Sequence, residues 1–483
     1  MRRFGVFVNP VEIILKICIW VFMIFSSGHA LLNKRDPRAA LGWVVICFLF
    51  SGGGSILYWI FGVNRIRTHA QKMRRIGRWQ HQTPIDRSTL KSSMSIFKSQ
   101  KYLRSFLELS QKISQKPLLD SNHITILYNG DQAYTAMIKA INQSKKFVYL
   151  CTYIYDFDST GQKFFEVIQA AFIRGVKIRI LLDAIGEMYS YPHVRKIFKK
   201  SKIPVAQFLP FSLSLNRLHP NLRNHRKILV VDGYSGFTGG MNISDRHMVQ
   251  SQENSKCVED VHFEFNGPIV KEMEEIFISD WYFSTGESLP WEDWGSKVST
   301  RGIVCRAIND GPDENFEKLN HIISGIFSSA KKSIKIVTPY FVPDRILISN
   351  INIAILRGIN VEIIVPERSN LPYVDWASRA LLWEILAQGA KVYFYPKSFI
   401  HSKVLIMDDL YVLIGSGNFD SRSFRLNFEF NVEIYDFKIA SQLTAYFNAV
   451  KEGSKPVVLK DVQSFPLIAR LRNSLAKLAS PYF

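Results

Sequence analysis

The sequence predicts an α/β protein of two similar halves, preceded by a two-helix transmembrane hairpin. Three observations carry this reading. An apolar run near the N-terminus has no charge, a set of landmarks recurs in the same order in the second half, and the pattern H-x-K-x4-D occurs at matching places in both copies. At ~150 residues per domain, 483 residues allow about three units or two larger ones. Hydrophobic residues make up 47% and charged residues 21%, which excludes disordered and collagen-like classes. Sixty-one Lys+Arg against 41 Asp+Glu give a net charge of +20, which points to a polyanionic partner, nucleic acid or an anionic lipid surface. The five cysteines (Cys18, Cys47, Cys151, Cys257, Cys305) are scattered, odd in number and without a C-x-x-C pair. They read as reduced, mostly buried thiols rather than a disulfide framework or zinc site.

The hairpin occupies residues 1–63, with helices at about 11–32 and 39–63. Ala39 to Val63 is 25 residues without a charge, more than the ~20 needed to cross ~30 Å of hydrocarbon. Trp43, Tyr58 and Trp59 lie towards its ends, where interfacial aromatics belong. The first span contains Glu12 and Lys16, which are placed to snorkel or pair at i,i+4. A buried core helix and a cleaved signal peptide are the competing readings; no clear cleavage site is present and a second span follows at once. The connecting turn carries Lys34, Arg35 and Arg38, whereas the other flank carries Arg2, Arg3, Arg65, Arg67, Lys72, Arg74, Arg75 and Arg78. That bias places both hairpin ends, and everything after them, in the cytoplasm.

Residues 64–120 are basic and polar. Ile96, Phe97, Leu103, Phe106, Leu107 and Leu109 form a helical stripe there, read as packing on the body in preference to the membrane surface. Two α/β halves then follow, at 121–295 and 296–483. In the first, KKFVYLCTYIYD (145–156), RGVKIRILLD (174–183) and HRKILVVD (225–232) recur in order as KKSIKIVTPYFVPD (331–344), RGINVEIIVP (357–366) and HSKVLIMD (401–408) in the second. Apolar strands alternating with helical stretches predict mixed or largely parallel sheets, and the long offset fits duplicated domains rather than a solenoid.

The chemistry concentrates at His225, Lys227 and Asp232, followed by Gly239-Gly240-Met241-Asn242, and at His401, Lys403 and Asp408, followed by Gly415-Ser416-Gly417-Asn418. On a strand, residues two apart share a face, so each half presents an imidazole and an ammonium together, and the runs Ile228–Val231 and Val404–Met407 bury the strands. Asn242, Ser416 and Asn418, with backbone N–H groups of the turns, are candidate phosphate contacts. Two imidazoles can divide a displacement at phosphorus: one attacks and forms a phosphohistidine, the other protonates the departing oxygen. The lysines neutralise the non-bridging oxygens, so neither metal nor cofactor is required. One H-x-K pair alone is weak, since a lone histidine is usually an ordinary surface or core residue. Two complete copies at matching positions of a repeat are specific.

With these residues the chain resembles the phospholipase D superfamily, and within it bacterial cardiolipin synthases with an N-terminal membrane hairpin. The resemblance runs through KRDPRAALGW, YIYD with downstream RGV, LRNHRKILVVD, FTGGMNISD, DWYFSTGE (280–287), TPYFVPD, HSKVLIMD and GSGNFDSRSFRLNFE (415–429), nearly the whole chain. It implies two phospholipase D-like halves facing across one active site, with one histidine from each. His225 then attacks and His401 protonates. The motif aspartates support local structure more than chemistry. Glu429 takes the place of a carboxylate on His401, and Asp260 is the candidate for the same role on His225, each fixing a tautomer. One departure is Val258-Glu-Asp260-Val-His262, where relatives often have W-x-D-x-H. Another is Gly-Gly in place of the Gly-Ser of many members.

The resemblance and the hairpin together imply phosphatidyl transfer between two phosphatidylglycerols, giving cardiolipin and glycerol at a bacterial inner membrane. The apolar stretch Gln207–Asn216, with Arg195, Lys196, Lys199, Lys200 and Lys202 upstream, suits an anionic headgroup region, and it reads equally as a buried strand beside a solvated charge run. No zinc-finger or RNA-recognition signature points to nucleic acid. A phospholipase D hydrolase, a phosphatidylserine synthase and, further off, a membrane-tethered nuclease use the same paired motif.

Overall fold

The computed structural model describes residues 10–34, 36–63, 101–210, 222–250, 257–290, 302–313 and 315–480. It divides into two compact units, an N-terminal helical one and an α/β body.

In the N-terminal unit, helix Pro10–Asn33 matches the first expected span and, among the described residues, is the one helix long and apolar enough to cross a membrane. The expected continuous second span, 39–63, is instead broken. Helix Pro37–Leu49, capped by Asp36 through the N–H of Arg38, ends where Ser51 and Gly52 take positive φ of 20° and 84°, and a short helix Gly53–Leu57 and a π-turn Tyr58–Gly62 follow. The glycines cause the break: Gly52 adopts a backbone that other residues resist, and a Cβ on Gly54 would lie 2.0 Å from the Ile46 carbonyl. Thirteen helical residues reach only ~20 Å, short of a bilayer core. Trp43 and Tyr58, expected as interfacial aromatics, turn inward and pack edge to face, with the Tyr58 hydroxyl 2.7 Å from His29 Nδ1.

The body holds a 16-stranded mixed sheet whose order is nearly palindromic. Two central antiparallel strands, Leu119–Tyr128 and Ile303–Asp310, meet at its middle. Outward from the first lie Val261–Asn266, Ser235–Gly239, Ile228–Val231, Phe147–Thr152, Lys177–Asp183 and Val205–Phe208. Outward from the second lie Asn427–Tyr435, Tyr411–Gly415, Val404–Met407, Ser333–Val337, Asn360–Pro366 and Lys391–Tyr395, in corresponding order. In each half the outer three of these strands are parallel and the inner ones antiparallel, and in the second half a further edge strand, Lys455–Val457, lies antiparallel to Lys391–Tyr395. The sequence repeat is thus one α/β unit built twice. Crossover helices Ser159–Ile173 and Arg345–Leu356 start at Asp158 and Asp344, each of which accepts the N–H three residues on.

Of the basic region, residues 64–100 lie outside the described residues, and Ile96 and Phe97 with them. Helix Lys101–Ser114 buries Leu103, Phe106 and Leu107 in the core of the second half, while Leu109 remains 39% exposed. All five thiols are free; Cys47, Cys151 and Cys305 are buried, Cys257 half-buried and Cys18 exposed.

Candidate active site

His225 and Lys227 sit in extended chain just before the strand Ile228–Val231 rather than inside it, and His401 and Lys403 just before Val404–Met407. Alternation still puts each pair on one side: Lys227 Nζ donates to the His225 carbonyl at 2.8 Å and Lys403 Nζ to that of His401 at 2.6 Å. The strands beyond are wholly buried, which fixes the bases of all four side chains.

The short strand Arg223–Asn224 pairs in parallel with Asn427–Tyr435 of the other half, and the His225 N–H donates to the Phe428 carbonyl at 2.9 Å. Likewise Phe399–Ile400 pairs with Val258–Glu259, and the His401 N–H donates to the Glu259 carbonyl at 2.7 Å. Each histidine is therefore held on the opposite half. This threading corrects the expected carboxylate partners. Glu429 is on His225, its Oε2 3.1 Å from Nδ1, and Asp260 is on His401, its Oδ2 3.1 Å from Nδ1. Both carboxylates are fully buried. The Ser416 carbonyl lies 3.1 Å from the same His225 nitrogen. With acceptors at Nδ1, that nitrogen carries the proton and Nε2 keeps a lone pair for the cavity.

Both histidines line one cavity of about 750 Å³, together with Asn242 and Asn418. Asn242 Oδ1 also accepts the Ile154 N–H at 3.2 Å, and Asn418 Oδ1 is a buried acceptor without a hydrogen-bond partner among the described residues. Ser416, the third expected phosphate contact, is not among the residues lining this cavity. It is buried, and its hydroxyl donates to Glu429 Oε2 at 2.5 Å, so it orients the carboxylate. The first half has glycine there because a Cβ on Gly240 would lie 2.4 Å from Asp260 Oδ2 and 2.8 Å from the His401 carbonyl. Asp232 and Asp408 lie away from the chemistry. At φ +55° each accepts three backbone N–H groups, from Lys145, Lys146 and Phe147 and from Lys331, Lys332 and Ser333, locking the motif strand to its neighbour.

Burial, reinforced by Lys227, lowers His225 to about 4, and burial with Lys403 holds His401 well below its ordinary value. Burial also brings Lys227 down to about 7 and Lys403 to about 8. Burial alone would raise Glu429, yet His225 and Lys227 hold it below the usual carboxylate range. The resting site thus offers neutral imidazoles among cations that an incoming phosphodiester would stabilise.

Sequence reasoning missed several cavity residues: Tyr153, Arg223, Tyr340, His247 and Arg422. Arg223 was open to discovery, since it precedes His225 by two residues and so shares its face. Val258, at the position of the absent tryptophan, also lines the cavity. Of the stretch Gln207–Asn216, residues 211–216 lie outside the described residues; Gln207 and Phe208 are in a strand. Arg195 pairs with Glu187, and Lys196, Lys199, Lys200 and Lys202 are exposed.

Residues 137–281 and 323–451 match the family described as cardiolipin synthase, PLD-like domain. Residues 19–62 match the family described as phospholipase D-nuclease N-terminal. A cardiolipin synthase of Geobacillus thermodenitrificans is 31% identical, the match covering 96% of this chain and 92% of that protein. The major cardiolipin synthase ClsA of Bacillus subtilis is 29% identical, with 97% of each covered. Among solved structures, a phosphatidylserine synthase of Haemophilus influenzae superposes with a TM-score of 0.63 at 17% identity, covering 78% of this chain and all of that one, a likeness of fold. With more than half its length matched and relatives aligned nearly end to end, the chain belongs to the phospholipase D-like cardiolipin synthase family.

Proposed function

We propose that this phosphatidyltransferase moves a phosphatidyl group from one phosphatidylglycerol to a second, giving cardiolipin and free glycerol. The observation that carries the reading is the pairing of His225 and His401 in one cavity, each with a buried carboxylate behind its ring and a lysine beside it. His225 Nε2 attacks phosphorus, the P–O bond to glycerol breaks, and the departing oxygen takes a proton from His401. The diester's negative charge favours that proton on His401, against the lysines that otherwise repel it. The second lipid's glycerol hydroxyl then attacks phosphorus, gives its proton back to His401 and breaks the N–P bond. Lys227, Lys403, Asn242 and Asn418 stabilise the non-bridging oxygens, while Glu429 and Asp260 hold the rings and stabilise their charged forms.

The substrates lie in an anionic membrane, and helix Pro10–Asn33 anchors the enzyme there. In a bacterial inner membrane crossed by that one helix, Lys34, Arg35 and Arg38 on the body's side outnumber Arg2 and Arg3 on the other, a bias that supports a body on the cytoplasmic side. Cysteine labelling of the body from the outside only would reverse that orientation.

Headgroup-labelled phosphatidylglycerol vesicles, with EDTA and no nucleotide, test the reaction. Cardiolipin and labelled glycerol in equal amounts are expected, with a phosphatidyl group that has lost the label trapped on His225 on rapid quenching and read by its mass. Phosphatidic acid alone would make the enzyme a hydrolase, and a requirement for a CTP-activated lipid would reject the scheme.

A further inference from the structure

The transfer uses two lipids, but only the acceptor brings a second phosphate into the cavity, because the donor's is then bonded to histidine. The mechanism leaves unassigned a group of polar side chains on the cavity wall beside His225: Arg223, Arg422, Tyr153, Tyr189 and Tyr373. Arg223 is 5% exposed and comes from the segment just before His225; Arg422 comes from the other half, in the turn of helix Ser421–Arg425. The carboxylate that acts on Arg223, Asp183, already accepts the N–H groups of Ile185, Gly186 and Asn224. Burial, and after Asp183's opposing pull the charge of Arg422, leave the Arg223 guanidinium below its ordinary range, a tension that an anion between the two would relieve. Tyr153 links this group to the reacting centre, its ring 5.3 Å from that of His225 and edge-on to it, with Lys227 Nζ 5.5 Å from its centroid. Guanidinium forks and phenol hydroxyls are donors matched to the two free oxygens of a phosphodiester.

We infer that Arg223 and Arg422, with Tyr153 and Tyr189, form a second phosphate site that holds the acceptor lipid's phosphodiester beside the phosphohistidine. The inference rests on the transfer reaction proposed above and extends it to the choice between lipid and water. Water has no phosphate to bind there. An anchored acceptor presents its glycerol hydroxyl at high effective concentration, which favours transfer over hydrolysis without excluding water altogether. After transfer the same residues hold the second phosphate of cardiolipin.

The test uses the full chain in phosphatidylglycerol vesicles with deuterated free glycerol in the water. Mass spectrometry reads three products from one phosphohistidine: cardiolipin, phosphatidylglycerol carrying deuterated glycerol, and phosphatidic acid. For Arg422→Gln the ratio of cardiolipin to the other two is expected to fall about ten-fold or more, the order of one lost charge-assisted contact. Arg422→Lys, which keeps the charge, restores part of that ratio, and thermal unfolding checks that both variants fold. Tyr189→Phe, at an exposed side chain, gives a smaller shift in the same direction and serves if Arg422→Gln does not fold. An unchanged ratio in Arg422→Gln, whether all products fall together or none does, would overturn the second site while leaving the transferase reading intact. A wild-type enzyme that yields only phosphatidic acid would overturn the transferase reading, and the site with it.

Discussion

Glu429 Oε2 lies 3.1 Å from His225 Nδ1 although the two residues are 204 apart in sequence and belong to different halves. The mirror relation joins Asp260 of the first half to His401 of the second. Each cavity-lining imidazole is thus oriented by the half that does not contain it. Arg226, between the two motif residues of the first half, makes the same crossing: buried and paired with Asp280 of its own half, it donates to the Glu429 carbonyl of the other.

Removing either carboxylate's charge is expected to cripple the histidine of the other half. Glu429→Gln and Asp260→Asn are each expected to lower kcat by about a hundred-fold, through loss of imidazolium stabilisation and of the fixed tautomer. Rapid-quench measurement of glycerol release should show the loss in the first turnover for Glu429→Gln. A first turnover at the wild-type rate would mean that Glu429 does not act on the attacking ring.

The two carboxylates are supported differently, and that asymmetry can be tested. Ser416→Ala removes the hydroxyl that donates to Glu429 at 2.5 Å, and kcat/KM is expected to fall about ten-fold. Gly240→Ser makes the first half resemble the second, yet its Cβ would meet Asp260 Oδ2 at 2.4 Å and displace it. A larger loss than for Ser416→Ala is expected. A fully active Gly240→Ser enzyme would contradict the close approach.

The duplication, the two H-x-K pairs and the buried strands Ile228–Val231 and Val404–Met407 were legible because they are local: repeated words, alternation and short apolar runs. The carboxylate assignment was not, because it depends on Arg223–Asn224 lying along Asn427–Tyr435, a pairing that no spacing encodes. The long second span failed for a related reason. Hydropathy counts the absence of charge from Ala39 to Val63, whereas the break at Ser51–Gly52 is a matter of backbone torsion. Arg422 faces the cavity because of how the second half closes on the first, and nothing in its neighbouring residues marks it.

Asp232 and Asp408 look catalytic in the motif and act as local clamps in the fold. Asp232→Ala strips an acceptor from three N–H groups at the start of strand Phe147–Thr152, and a loss of about 1–3 kcal/mol in stability is expected. The melting temperature should fall while kcat of the folded fraction stays near wild type. A large kcat loss with an unchanged melting temperature would return Asp232 to the chemistry.

The buried pair Arg306–Glu433, 2.6 Å apart on directly paired residues of Ile303–Asp310 and Asn427–Tyr435, fastens helix Lys101–Ser114 to the sheet. Ser110 donates to Glu433 at 2.8 Å, and Arg306 donates to Gln111 at 2.8 Å. Breaking a buried pair from one side typically costs about 3–5 kcal/mol, so Glu433→Gln should lower the melting temperature sharply. Limited proteolysis should then cut first within Lys101–Ser114; protection there equal to wild type would show that the helix is held by its apolar face alone.

The pH profile joins these arguments. The attacking ring must be neutral, and His225 titrates at about 4, so kcat/KM should rise through an acid limb near that value rather than near 6.5, where an exposed imidazole would place it. The lysines must be charged to hold the phosphodiester. With Lys227 at about 7 and Lys403 at about 8, the alkaline limb should begin near 7, set by Lys227. Lys227→Arg keeps its charge throughout, so whatever activity remains should carry an alkaline limb shifted up towards that of Lys403. Glu429 favours the charged forms of both His225 and Lys227, so Glu429→Gln should move both limbs to lower pH. An acid limb near 6.5 that ignores Glu429→Gln would place the titrating group outside this buried pair and would remove His225 from the role of nucleophile.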